Sequence, residues 1–428
     1  MKKIFVLSSM LCAFSLQAQF SINIQTDPGF NEQEAILYTL NGSKDIIVTK
    51  EKNKNNVWTF KYPKNYSGMM KVYFPTTNNS VSFISENKNI SIKLETKANK
   101  IQNVIYQDEA NEVMSGIQEG SQKKELILPA LAQIKEYYKD NTEFGKALIA
   151  EIGKLSGTTN GVDQAKHPFV YYYNTNYNKF LSNDPAKKVT KEEIVNFIDK
   201  SNDMLESSSL LRPILVSYLN VGGNTNVAAS VDTLINKLNV ETPRGQTVLS
   251  ELIDIFDVYD MSEFKTKYLA LAKDLKCTIN DRLASTIKSN TDTDLGAVFP
   301  AYKFNSAVNT NAKSIADVKA DKKVIVFWSS TCSHCENELP QLLAKYNDLK
   351  TKNVQVIGLS LDTDKSAYTT KIAAFPWIND SELKGWNSSF AELYNIHATP
   401  TYFILDANNK IISKPNHVGD VLEYLNVK

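Results

Sequence analysis

Apolar residues in this chain recur with three different periods, and each change of period changes what the backbone can become. From Phe20 to about Thr96 they alternate two by two, as in Phe20-Ser21-Ile22-Asn23-Ile24, Val57-Trp58-Thr59-Phe60 and Ile90-Ser91-Ile92-Lys93-Leu94. Successive side chains of a strand point to opposite faces, so this pattern predicts half-buried strands. Asp27-Pro28-Gly29, Asn41-Gly42 and Asn78-Asn79 punctuate the runs with residues that turns require. A small β-sandwich or half-barrel over 19–100 follows. It contains no histidine and no cysteine, and no chemistry is assigned to it.

Over 101–290 the period becomes 3.6, which predicts a helical region. Thr190-Lys191-Glu192-Glu193 reads as a capping box opening a helix whose buried face carries Ile194, Phe197 and Ile198. Thr242-Pro243 supplies an N-cap and a first-turn proline ahead of Val248, Leu249, Leu252, Ile253 and Phe256. Phe169, Tyr171, Tyr172, Tyr173 and Tyr177 read as a helix core with hydroxyls at its rim, in preference to a ligand surface. His167, just before Pro168, reads as a structural or surface residue.

Beyond Asp294 near-continuous apolar strands, Val324–Trp328, Val354–Ser360, Thr401–Leu405 and Ile411-Ile412, alternate with helical stretches. Strands apolar on both faces belong to a sheet covered by helices on both sides, so 291–428 reads as an α/β domain. Three domains also suit the length, since 428 residues exceed what one core usually serves. With 48 basic and 47 acidic side chains there is no field to draw nucleic acid or another polyanion. Residues 1–18 carry Lys2 and Lys3, an apolar run from Ile4 to Leu16, and Gln17-Ala18. They read as a secretory signal peptide, so the expected location is periplasmic, with a soluble mature protein after cleavage.

Four cysteines are too few for a disulfide scaffold, and only Cys332 and Cys335 lie close together. They fall where the Val324–Trp328 strand ends and a helix begins. Unpaired amides in a first helical turn stabilise an anion, so Cys332 is expected to ionise readily and act as nucleophile. Cys335, three residues on, is placed to resolve a mixed disulfide. Ser333 and His334 between them are candidate tuning residues. An imidazole there can support the Cys332 thiolate and make the disulfide more oxidising.

Phe327-Trp328, Cys332-Ser333-His334-Cys335, Glu338, Pro340 and Thr399-Pro400 together resemble the thioredoxin superfamily, in particular its TlpA/ResA-like thiol-disulfide oxidoreductases. The resemblance covers 291–428 and implies a thioredoxin fold. It implies that Thr399 and a cis Pro400, with Trp328, hold a substrate segment beside the dithiol, and that Glu338 lies under the dithiol as a proton carrier. The buried aspartate that many thioredoxins place six residues before the nucleophile is Val326 here, and the tryptophan often found just before it is Thr331. No cofactor is expected. A metal is not expected either, because the remaining candidates, Cys277, His334, His397 and His417, include no second Cys-x-x-Cys and no His pair at metal spacing. Peroxidase chemistry is set aside: the module has no arginine, and Ile325 stands where such sites have a proline.

The expected function is an exported thiol-disulfide oxidoreductase, reductase rather than oxidase. Its partners would be disulfide- or thiol-bearing envelope proteins and a membrane thiol electron donor. The competing reading is a partner-binding or assembly protein in which the dithiol is incidental.

Overall fold

The computed structural model describes residues 19–156, 161–181, 189–221, 223 and 226–427. The signal peptide read over 1–18 lies outside the described residues. The chain forms two compact units divided between Tyr218 and Leu219.

The first unit opens with eight strands: β1 (Phe20–Thr26), β2 (Glu34–Asn41), β3 (Lys44–Lys52), β4 (Val57–Tyr62), β5 (Ser67–Phe74), β6 (Asn79–Glu86), β7 (Ile90–Lys97) and β8 (Lys100–Tyr106). They make two four-stranded sheets, ordered β4-β1-β7-β8 and β3-β2-β5-β6. The alternating residues Ile22, Ile24, Trp58, Phe60, Val72, Phe74, Ile92 and Leu94 fill one core. Phe30 and Trp58 meet Phe74 edge-on, with ring centroids 5.3 and 5.2 Å away, and each such buried aromatic contributes ~1.5–3 kcal/mol. Gly42, in the two-residue turn between β2 and β3, adopts φ +65°, which glycine tolerates without cost.

Helices follow β8. The N-terminus of the Pro168–Phe180 helix is closed by the buried Glu86 carboxylate of β6, which accepts from the amides of Phe169 (2.7 Å) and Val170 (3.2 Å). His167 is buried beside it, Nδ1 3.4 Å from Glu86 Oε2. The aromatic cluster behaves as core and rim: Phe169 is buried, Tyr172 stacks on Phe197, and Tyr173 stacks on Tyr177. The Thr190 capping box forms in both directions, with Glu193 N to Thr190 Oγ1 at 3.2 Å and Thr190 N to Glu193 Oε2 at 2.9 Å.

The second unit contains the helices Val227–Leu238, Pro243–Val258, Ser262–Asp274 and Asp281–Asp292, then an α/β sheet. Thr242 caps the Pro243–Val258 helix, accepting from Gly245 N at 3.1 Å. Inside this helical part Arg282 donates to Glu251 Oε1 at 3.0 Å and Asp254 Oδ2 at 2.6 Å. Cys277 is partly buried, its sulfur 3.5 Å from Gln246 Nε2. Among the described residues no helix is long and apolar enough to cross a membrane.

The sheet holds β9 (Lys322–Trp328), β10 (Val354–Ser360), β11 (Ile378–Ser381), β12 (Thr401–Asp406) and β13 (Ile411–Ser413) in the order β11-β10-β9-β12-β13. β9 runs parallel to β10 and antiparallel to β12. Both its faces are covered. Val324, Val326 and Trp328 pack with Cys335, Leu339 and Leu342 of the Ser333–Ala344 helix, while Ile325 and Phe327 pack with Phe299, Phe390 and Tyr394 on the other side. An all-β part, a helical middle and an α/β carboxy-terminal domain are therefore present in the expected order.

Candidate active site

The central strand β9 ends at Trp328 and delivers the chain through Ser329-Ser330-Thr331 to Cys332, the N-cap of the Ser333–Ala344 helix. The turn is held by one buried carboxylate. Asp362, just past β10, accepts from Ser329 Oγ (3.0 Å), Ser330 N (2.9 Å), Ser330 Oγ (2.7 Å) and Ser360 Oγ (2.7 Å). With its acceptor sites filled this way, Asp362 fixes the approach of the chain to the cysteines.

Cys332 Sγ lies 3.2 Å from the amide of Cys335, which it accepts, and 3.2 Å from the carbonyl oxygen of Thr399. The two contacts serve different protonation states. A thiol gives its hydrogen to the carbonyl, whereas a thiolate is stabilised by the helix amides. Burial pushes the Cys332 thiol up, but hydrogen bonds from the Cys335 thiol, from Thr399 and from the amides of Cys335 and His334 outweigh it, and the group settles below the ordinary cysteine value. Burial and the hydrogen bond to Cys332 push Cys335 up to about 12. The group that is lowered is the partly exposed sulfur and the one that is raised is the buried sulfur, the asymmetry that a nucleophile and a resolver would show. Ser333 and His334 are exposed, and it is the backbone amide of His334 that reaches toward Cys332.

The Thr399-Pro400 peptide bond is cis and closes the loop that brings Thr399 to the sulfur. Trp328 is placed differently from its partners in the motif. Its side chain is 0% exposed and packs against Tyr368 and Phe375, so it supports the strand end from inside and presents no surface to a docked peptide.

Glu338 turns its carboxylate to Tyr402 Oη (3.1 Å), the Val418 amide (2.8 Å) and His417 Nδ1 (3.0 Å). Neither cysteine is among these partners. Tyr402 lies opposite Val326 in the β9–β12 pairing and packs in the same apolar cluster as Cys335. A polar side chain therefore stands beside Val326 on the neighbouring strand. Burial and the Glu338 carboxylate raise the Tyr402 phenol well above its usual range, and the charge of the two cysteines adds to this. Glu338 in turn raises the exposed His417. Tyr402, His417 and Asp362 were missed from sequence: Glu338 is 64 residues from Tyr402 and 79 from His417, separations no motif spacing encodes. Among the described residues no group of three or more His, Cys, Asp or Glu side chains is arranged to hold a metal ion.

A central strand feeding a Cys-x-x-Cys N-cap, faced by a cis-proline loop, defines a thioredoxin-type dithiol domain. The family model described as Redoxin matches residues 294–425, and over that domain the chain is similar to TlpA/ResA-like proteins of the thioredoxin superfamily. It is 27% identical over 105 residues to the thiol-disulfide oxidoreductase ResA of Bacillus cereus, covering 23% of this chain and 57% of that protein. It is 24% identical over 122 residues to ResA of Oceanobacillus iheyensis, covering 28% of this chain and 61% of that one. The thioredoxin domain of a thiol-disulfide oxidoreductase from Bacteroides vulgatus aligns at 27% identity, over 31% of this chain and 96% of its own, with a TM-score of 0.29. The chain thus spans about three-fifths of the length of the curated relatives it matches.

Proposed function

We propose that this protein is an exported thiol-disulfide oxidoreductase that works as a reductase on disulfide-bearing envelope proteins. The observation that carries the reading is the asymmetry of the pair: Cys332 is partly exposed at a helix N-cap and Cys335 is 1% exposed beneath it. The Cys332 thiolate attacks one sulfur of a substrate disulfide, forming a mixed disulfide while the departing substrate sulfur takes a proton. Cys335 then attacks the Cys332 sulfur, expels the second substrate thiolate and leaves the domain oxidised. Two electrons pass to the substrate.

Cys335 must lose a proton in that second step. The Tyr402–Glu338–His417 chain runs from the apolar cluster containing Cys335 to the surface, which supports Glu338 as the group that accepts it. Thr399 and Pro400 hold the substrate backbone. The reduced pair would be regenerated by a membrane thiol donor. The domains are read as 19–100, 101–290 and 291–428, after a leader over 1–18.

A Cys335→Ser variant tests the reading. It should accumulate mixed disulfides through Cys332 with envelope proteins, visible as thiol-sensitive adducts on non-reducing gels and absent in Cys332→Ser. No adducts, together with no exchange of a model disulfide by the wild type, would leave the partner-binding alternative standing.

A further inference from the structure

The loop that carries Thr399 to Cys332 begins at Tyr394, which is anchored inside its own domain: its ring stacks on Phe299 at 4.1 Å and its hydroxyl donates to the Pro300 carbonyl at 2.7 Å. The next side chains turn elsewhere. Asn395 Nδ2 donates to Asp257 Oδ2 at 2.8 Å, and His397 Nε2 lies 3.6 Å from the same oxygen. Asp257 belongs to the Pro243–Val258 helix, outside the 294–425 match. Its other oxygen pairs with Lys265 at 2.5 Å. The helix is itself immobilised, because Asp254, one turn earlier, and Glu251 are tied to the buried Arg282. Asn395 adopts φ +54°, a left-handed backbone that asparagine and aspartate accept more readily than other side chains.

We propose that Asp257 is a positioning residue for the substrate loop, through which the helical region sets how that loop meets a peptide beside Cys332. The inference rests on reading Thr399-Pro400 as the element that holds substrate. A loop fastened at Tyr394 and Asn395 keeps its Thr399 backbone fixed before substrate arrives, so less ordering is needed on binding. A small disulfide, with no backbone to align along the loop, gains nothing from this.

The test uses the full-length protein with Asp257→Ala and Asn395→Asp. The second change keeps the backbone preference and sets a carboxylate against Asp257. Both should quicken hydrogen exchange of the 396–399 and 401 amides without a matching change in the Pro243–Val258 helix. Both should raise KM for a disulfide-bearing peptide by about tenfold, the scale of one lost charge-assisted hydrogen bond, with kcat and the KM for hydroxyethyl disulfide within about twofold. In the Asp257→Ala background, Asn395→Asp should add nothing further, since the opposing charge is gone. Unchanged loop exchange overturns the proposal, and so does quickened exchange with an unchanged peptide KM. A wild type that reduces neither disulfide overturns instead the reductase reading on which it rests.

Discussion

Two buried charge networks in the second unit are built in opposite ways. Around Arg282 everything is sealed: the side chains of Arg282 and Glu251 are 0% exposed and that of Asp254 is 2% exposed. Around Glu338 burial is graded, from Tyr402 at 1% through Glu338 at 14% to His417 at 73%. A sealed network cannot trade protons with water and serves to lock one helix on another. A graded one joins the interior to solvent, which is what a site that releases a proton in each cycle needs. On the proposed mechanism, the contrast separates a charge kept for architecture from a charge kept for chemistry.

Breaking the sealed network should have the largest effect. Arg282→Met removes the buried guanidinium that Glu251 and Asp254 share, and stability of the second unit should fall by about 3–5 kcal/mol, read from its transition in urea unfolding. Exchange activity in the folded fraction should persist. Glu338→Gln tests the graded network from its middle. It keeps the shape but loses the proton acceptor, so resolution of the mixed disulfide at neutral pH should slow by about 10–100-fold, at or below the low end for a positioned acid–base group. The urea midpoint should hardly move. Equal loss of stability in the two variants would erase the distinction drawn above.

The smallest effect belongs to His417→Gln, and it should depend on pH. Glu338 raises the His417 pKa, so the imidazolium–carboxylate pairing is complete below the ordinary histidine value of about 6.5 and disappears as pH rises through the raised folded value. While charged, His417 holds the Glu338 carboxylate in place by an ion pair. The variant should therefore resolve mixed disulfides roughly two- to threefold more slowly than wild type near pH 6, a size suited to an exposed pair, and the two should converge in alkaline buffer. A constant ratio across pH would remove His417 from the proton path.

Local rules carried much of this structure into the sequence. The Thr190 box, the Thr242 cap and the position of Cys332 each depend on residues within four positions of one another, and all three are in place. β8 escaped the alternation because its burial is irregular, as an edge strand with one partner allows. Trp328 was legible and misweighed: it shares the parity of Val324 and Val326, so strand geometry already turned it to the core. The contacts of Glu338 with Tyr402 and His417, and of Asp257 with Asn395, join elements that meet only once the sheet and helices are assembled. No spacing rule reaches that far.

The strand order has a bearing on how the protein breathes. β9 lies third of five, with β11 and β13 at the edges. Edge strands open at small cost, whereas a central strand is released only with the sheet as a whole. Cys332 is mounted just past the end of the strand that opens last, so thermal fraying of either margin leaves the sulfur, its amide donors and its helix in register.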